Sequence, residues 1–242
     1  MFRKLRIVIL LLSGLKNIKP FIKPIDAARA NNDDKTEFEL IKKVVNRWGN
    51  FFLKAYNVDV TIEGKENIPN EGPVLFCANH QSNADSIVAA ATLSNIPFTF
   101  ISKKETLKIP FYGVWLQRVR CIFLDRSNTK DAIRTLKVAE DLISRGMSIL
   151  VFPEGTRSKS PEMGDFKYAA LSYGTRSKIP VVPVSLSNTY TLFEKPSNES
   201  PARVKIRIHP AIETAALSRP ELKALPKQVE EIIRSGIEEK LS

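Results

Sequence analysis

One stretch decides the fold of this chain, and it reads Val74-Leu75-Phe76-Cys77-Ala78-Asn79-His80-Gln81-Ser82-Asn83-Ala84-Asp85. Its first five residues are apolar, as expected of a short buried strand, and polar residues follow at once. Similar apolar runs, rich in β-branched residues, recur at 58–62, 98–101, 121–124, 149–152 and 181–186. Helical patterns separate several of these runs. The alternation predicts an α/β domain with a mostly parallel central sheet flanked by helices.

Helical periodicity is clearest in residues 36–56 and 128–145, where apolar side chains recur at spacings of three or four. Residues 203–209 alternate charged and β-branched side chains, which predicts a half-buried edge strand. The segment from about 220 to 241 has the pattern of a charged amphipathic helix packed on the outside.

Composition restricts the possible classes of protein. The chain has 242 residues, 43% hydrophobic and 26% charged, which fits one globular domain and argues against disordered, collagen-like and multi-span membrane proteins. The two cysteines and two histidines are widely separated, so zinc fingers, iron–sulfur clusters and disulfide scaffolds are excluded, and neither a metal nor a cofactor is expected. A formal net charge of +11 favours an anionic partner.

Residues 1–30 carry seven lysines and arginines against a single aspartate. The apolar run 7–15 is too short for a bilayer, which takes about 20 residues. Three interpretations compete: a secretory signal peptide, an N-terminal helix packed on the core, and helices that anchor the chain to one membrane face. We favour the anchor, with Phe21, Ile22 and Ile25 also entering the membrane. This divides the chain into residues 1–30, the anchor, and 31–242, the α/β domain.

His80 and Asp85 form the first candidate catalytic pair. The carboxyl ends of parallel strands are where ligands bind, and both residues follow such a strand. On one helix the two side chains would lie about 140° apart, since each residue turns ~100°. If His80 instead precedes a helix and Asp85 lies in its first turn, the carboxylate can orient the imidazole as a general base. The alternative is a surface histidine and a helix-start aspartate.

Cations follow the other strands of the predicted sheet. Arg157 lies in the segment Phe152-Pro153-Glu154-Gly155-Thr156-Arg157, and Arg126 follows the run 121–124. With a lysine from Lys103 or Lys104, these guanidinium groups would form a phosphate clamp. The alternative is a simple turn with a solvated Arg157.

Four blocks in this order resemble the glycerolipid acyltransferase family, especially bacterial 1-acyl-glycerol-3-phosphate acyltransferases. The blocks are Asn79-His80-x4-Asp85, Ile122-Phe123-Leu124-Asp125-Arg126, Phe152-Pro153-Glu154-Gly155-Thr156-Arg157-Ser158 and Ile179-Pro180-Val181-Val182-Pro183-Val184. One departure is that Arg120 stands where the second block usually has a glycine.

The resemblance implies transfer of a fatty acyl group from acyl carrier protein or coenzyme A to the sn-2 hydroxyl of lysophosphatidate, giving phosphatidate. It also implies that Glu154 helps to hold the glycerol, and that backbone N–H groups near Glu154 and Gly155 stabilise the oxyanion. An acyl chain needs an apolar groove, and its candidate lining residues, for most of which core packing is the alternative, are Phe98, Phe100, Phe111, Trp115 and Leu116. The enzyme would be monotopic on the cytoplasmic face of an anionic phospholipid membrane.

Two alternatives stay open. One keeps the family and changes the acceptor to glycerol 3-phosphate or another lysophospholipid. The other is a non-catalytic basic protein that binds a membrane or a nucleic acid, which explains the charge but leaves the four blocks unexplained. We therefore expect an enzyme without a nucleic-acid partner.

Overall fold

A computed structural model describes residues 2–125, 128–195 and 200–238, so the candidate Arg126 lies outside the described residues. Its strands are β1 (Val58–Glu63), β2 (Leu75–Ala78), β3 (Phe98–Lys103), β4 (Ile122–Leu124), β5 (Ser148–Val151), β6 (Val181–Ser187) and β7 (Ala202–Ile208). Its α-helices are α1 (Phe2–Ala30), α2 (Asp34–Ala55), α3 (Asp85–Thr92), α4 (Tyr112–Arg118), α5 (Thr129–Ser144), α6 (Ser172–Ser177), α7 (Tyr190–Phe193) and α8 (Arg219–Ser235).

The strands form one sheet in the order β1-β7-β6-β2-β5-β3-β4. Neighbouring strands are parallel except for β6 and β7, which are antiparallel. The predicted mostly parallel α/β fold is confirmed. The prediction of an edge strand at 203–209 was wrong, because β1 pairs along the outer side of β7 and covers it. Alternation alone predicts one buried face and does not reveal a neighbouring strand.

Every residue of β2, β5 and β6 is buried, which requires helices on both faces of the sheet. α2 supplies part of this cover through an apolar face that includes Phe38, Ile41 and Trp48. Each such side chain contributes roughly 1.5–3 kcal/mol when fully buried. Asp33 caps α2 by accepting a hydrogen bond from the Thr36 amide at 3.0 Å.

α1 is one continuous helix that contains Pro20 and Pro24, whereas the sequence predicted separate helices. Ile18 and Ile25 are 1% and 0% exposed, because the second half of α1 packs against α2. Ile25 was therefore wrongly assigned to the membrane and belongs to the protein core. Among the described residues, no helix combines the length and apolar character of a transmembrane span.

The sheet order determines where the polar loops meet. β5 lies between β2 and β3, and all three are parallel. The loops that follow these strands therefore leave the same edge of the sheet, side by side.

Candidate active site

The imidazole of His80 lies against the carboxylate of Asp85. His80 is in the loop after β2, and Asp85 is the first residue of α3, so the chain turns back between them. Their Nδ1 and Oδ2 atoms are 2.6 Å apart. The Ser82 amide also donates to Asp85 Oδ2, at 2.8 Å. The contact predicted from the sequence is present, and the helical arrangement that would separate the two residues does not occur.

The surroundings of His80 assign its two ring nitrogens. Nδ1 faces an acceptor, so we assign the ring proton to Nδ1. Within the described ranges, Nε2 has no hydrogen-bond partner, and His80 lines the main cavity. The Phe152 ring stacks on the imidazole, with centroids 4.2 Å apart and planes at 17°. The imidazole is thus fixed on one edge and one face, with Nε2 left to accept a proton.

The second oxygen of Asp85 accepts a hydrogen bond from the hydroxyl of Thr189, which follows β6. Gln81 Oε1 accepts from the Thr189 amide at 3.2 Å and so fixes that loop. Asp85, Gln81 and Thr189 are all fully buried. Sequence reasoning missed Thr189, although its position just beyond β6, the strand next to β2, was an available signal.

Glu154 is buried, and both its carboxylate oxygens accept backbone hydrogen bonds. One comes from the amide of His80 and the other, at 2.7 Å, from the amide of Gly164. Burial raises the pKa of Glu154 to about 7, although the two amide bonds favour its charged form. Glu154 does not line the main cavity, so its implied glycerol-holding role stays a prediction. Glu154 ties the loop after β2 to the loop after β5.

Gly155 has a φ of +69°, a conformation that favours glycine. Its N–H donates to the carbonyl of Phe152 at 3.0 Å, which closes a tight turn. This amide is therefore occupied within the turn, and the implied oxyanion role of backbone N–H groups near Glu154 and Gly155 stays a prediction. A Cβ at this position would lie 3.1 Å from the Lys167 ammonium, so Lys167 covers the turn.

Arg157 reaches the site but already has an acidic partner. Its Nη1 donates to Glu194 Oε1 at 2.6 Å. Glu194 is the less exposed member of the pair, with 7% of its side chain exposed against 32% for Arg157. The hydroxyl of Ser82 donates to the other oxygen of Glu194. Glu194 was absent from the sequence analysis, because no motif surrounds it.

The candidate lysines differ in their surroundings. Lys103 is exposed at the end of β3 and lines the cavity, whereas Lys104 lies 3.6 Å from Asp125. Lys167, which sequence reasoning did not consider, also lines the cavity. Lys103 and Lys167 are therefore better placed than Lys104 to meet an anion. Within the described residues, no group of three acidic, histidine or cysteine side chains is arranged to hold a metal ion.

The main cavity has a volume of about 1510 Å³, and its polar wall includes His80, Lys103, Arg157 and Lys167. One part is apolar and lies between α2, α4 and the sheet. Its wall includes Trp48, Phe52, Phe100, Trp115 and Leu116. Two of the candidate residues do not line it: Phe98 is buried in the core against Phe76, which is the core-packing alternative, and Phe111 is exposed outside the cavity.

Comparison with known proteins identifies a shared family. A family model described as "Acyltransferase" matches residues 59–187. A 1-acyl-sn-glycerol-3-phosphate acyltransferase of Borreliella burgdorferi is 31% identical over 76% of this chain and 72% of its own. An enzyme of the same name from Chlamydomonas reinhardtii is 36% identical over 63% of this chain. That match spans 46%, about half, of the algal protein.

A solved structure extends the likeness to nearly the full chain. It is the 1-acyl-sn-glycerophosphate acyltransferase of Thermotoga maritima, which is 29% identical. The two structures superpose with a TM-score of 0.71 over 99% of each chain. The likeness includes the residues before and after the range of the family model.

Proposed function

Because this chain belongs to the acyltransferase family, we propose that it transfers a fatty acyl group from a thioester to the sn-2 hydroxyl of 1-acyl-glycerol 3-phosphate, forming phosphatidate. One observation carries the proposal. His80, which is paired with the buried Asp85, stands in the wall of a cavity that has an apolar part and also carries Arg157. The substrate has the matching parts: an acyl chain, a hydroxyl group and a phosphate.

The reaction needs a base because an alcohol is a weak nucleophile until its proton is removed. His80 Nε2 takes the proton of the sn-2 hydroxyl as its oxygen attacks the thioester carbonyl. Asp85 stabilises the imidazolium that forms. When the tetrahedral intermediate collapses, the carbon–sulfur bond breaks, and the imidazolium returns its proton to the leaving thiolate. The acyl group passes directly to the acceptor, without an acyl-enzyme.

The acceptor phosphate is held by Arg157 together with Lys103 and Lys167, which line the same cavity. A phosphate offers three acceptor oxygens, and guanidinium groups bind it in a bidentate manner. Glu194 occupies one nitrogen of Arg157 and leaves the rest of the guanidinium for a ligand. Arg126 belongs to the proposed clamp by its place in the second block alone.

The acyl chain lies in the apolar part of the cavity, beside Trp48, Phe100 and Trp115. Burying an apolar chain there contributes about 0.8 kcal/mol for each methylene group removed from water. The acyl donor is a thioester of acyl carrier protein or coenzyme A. We place the reaction at the cytoplasmic face of an anionic membrane, with the start of α1 as the anchor.

Replacing the proposed base tests the reaction. We expect His80→Gln to lower kcat by about 10²- to 10⁴-fold, because the hydroxyl then has no base. His209→Gln is the matched control, since His209 follows β7, contacts Ser185 of β6 and does not line the cavity. The assay crosses both kinds of thioester with lysophosphatidate and glycerol 3-phosphate. Wild-type turnover by His80→Gln contradicts the proposed mechanism. Exclusive use of glycerol 3-phosphate contradicts lysophosphatidate as the acceptor.

A further inference from the structure

Residues 109–114, which we call the entrance loop although its last three residues begin α4, expose three apolar side chains beside the cavity. Ile109 is 43% exposed, Phe111 65% and Val114 51%. Single exposed apolar residues are common on soluble proteins, but three within six residues form a patch. The same loop also contributes Ile109 and Tyr112 to the cavity wall.

The backbone of the entrance loop holds Phe111 in an unfavourable conformation. Phe111 has a φ of +62° and a ψ of −42°, and the Tyr112 amide donates to the Pro110 carbonyl at 2.7 Å. This is a γ-turn of the rare, strained type. Strain of this kind persists only where the surrounding structure enforces it. The exposed position of Phe111 is therefore imposed by the local fold.

Packing on both sides of Phe111 keeps the turn rigid. A Cβ on Gly113 would lie 2.3 Å from the Leu107 carbonyl oxygen, so this backbone is closely packed. The Tyr112 ring stacks on Trp48 of α2, with centroids 6.3 Å apart. The entrance loop thus points the Tyr112 side chain inward and the Phe111 side chain outward.

Exposed lysines lie next to the apolar patch along the chain. Lys103, Lys104 and Lys108 precede the loop and are exposed, with Glu105 as the one acidic residue between 103 and 114. α4 also packs against α1, where Arg29 Nη2 donates to the Arg118 carbonyl at 2.6 Å. In the part of α1 whose side chains the structure describes, the exposed lysines recur on one helical face, at 16, 19 and 23. An apolar patch with lysines beside it is complementary to an anionic lipid surface.

We propose that the entrance loop inserts Ile109, Phe111 and Val114 into an anionic phospholipid leaflet and so places the cavity mouth at the membrane surface. Lysines 104 and 108 contact the headgroups. This contact is separate from the proposed α1 anchor and involves different residues. The effect of this contact on substrate entry rests on the proposed function, whereas the membrane contact itself does not.

The test measures binding of the full chain to vesicles of phosphatidylcholine with and without phosphatidylglycerol, in the absence of acyl substrates. We expect Phe111→Ser combined with Val114→Ser to weaken partitioning into the anionic vesicles at least about tenfold, since two apolar side chains no longer enter the leaflet. Ile62→Ser is the matched control and should bind as the wild type. Ile62 is 39% exposed on β1, at the opposite edge of the sheet.

A second variant, Phe111→Trp, tests insertion without removing apolar area. The tryptophan fluorescence of this variant should shift to shorter wavelength on anionic vesicles, and brominated lipid should quench it. Both the shift and the quenching are measured relative to the wild type. Wild-type binding by the double serine variant, or emission from the Phe111→Trp variant that lipid leaves unchanged, overturns the proposal. Absence of vesicle binding by the wild type also overturns it. Failure of the proposed acyl transfer leaves these binding results standing, because no turnover is involved.

Discussion

At the scale of single residues, the site depends on how fully Asp85 is held. One of its oxygens binds His80 and the Ser82 amide, and the other binds the Thr189 hydroxyl. A buried carboxylate in this position cannot rotate without losing several hydrogen bonds at once. The orientation of the imidazole is therefore set by residues that do not themselves meet the substrate.

Thr189→Val tests this positioning with little change in side-chain volume. Losing a hydrogen bond to a charged group costs about 1.5–3 kcal/mol, so we expect kcat to fall roughly 10- to 100-fold with little change in KM. Thr189→Ser should restore activity, because it keeps the hydroxyl. Thr191→Val is the control, since the Thr191 hydroxyl donates to the Asn188 carbonyl instead. A rise in KM as large as the fall in kcat would contradict a positioning role. So would a Thr189→Ser variant that does not recover activity.

Glu154 makes stability depend on pH. Its pKa rises from an ordinary value of 4.5 to about 7 on folding, because burial disfavours the charged form. As pH rises through this interval, the unfolded carboxyl loses its proton before the folded one does, so stability is lost with increasing pH. The loss amounts to at most about 3 kcal/mol.

Comparison with Glu154→Gln isolates this contribution, because glutamine does not titrate. We expect the free energy of unfolding of the wild type to fall relative to the variant between pH 5 and about pH 7, as measured by denaturant titration. At every pH, the glutamine side chain offers one acceptor fewer to the backbone amides than the glutamate does. A difference that stays constant across this interval would show that Glu154 titrates normally.

At the scale of elements, Arg120 joins the segment before β4 to α2. Its Nε and Nη2 donate to the two oxygens of the buried Glu37, at 2.7 and 2.8 Å, and Arg29 of α1 binds the same carboxylate. Burial by itself raises the pKa of Glu37, but the bonds from Arg120 and Arg29 outweigh it and hold that pKa below its ordinary value. Arg120 has a φ of +60°, a backbone conformation that favours glycine.

Arg120→Gly therefore has two opposing effects on stability. It relieves a left-handed conformation worth about 1 kcal/mol, but it removes one partner of a buried carboxylate, which costs about 3–5 kcal/mol. We expect a net loss of at least about 2 kcal/mol in the free energy of unfolding, measured with denaturant. Adding Glu37→Gln should recover part of the loss. A glycine variant as stable as the wild type would mean that the ion pair contributes no more than the strain that glycine relieves.

At the scale of the whole molecule, α1 supports the cavity through the helices beneath it. α2 and α4 supply Trp48, Phe52, Trp115 and Leu116 to the cavity wall, and α1 packs on both helices. The membrane-facing role proposed for the start of α1 and the structural role of its second half therefore belong to one helix.

Two truncations separate these roles. Removing residues 2–13 leaves Ile18 and Ile25 in place, so we expect a melting temperature close to that of the wild type. Removing residues 2–30 exposes the surface that these two side chains cover, and each is worth about 1.5–3 kcal/mol. We expect that chain to melt well below the wild type in thermal denaturation. Equal melting temperatures for both truncations would contradict a structural role for α1.

The sequence alone determined the features that depend on neighbouring residues. Alternating apolar runs and helical periodicity predicted the α/β sheet, because strands and helices impose local repeats. The spacing of His80 and Asp85 predicted their contact once a turn was placed between them. The four blocks predicted the acyltransferase family, and the matching family model confirms it.

Only the tertiary structure decided which groups are already paired. Asp85 and Thr189 are 104 residues apart, Ser82 and Glu194 are 112 apart, and Glu37 and Arg120 are 83 apart. No local pattern encodes such pairs, since they arise from strand order and from the packing of helices on the sheet. The same packing assigned Ile25 to the core and left Phe111 exposed, although both are apolar residues of similar hydrophobic character.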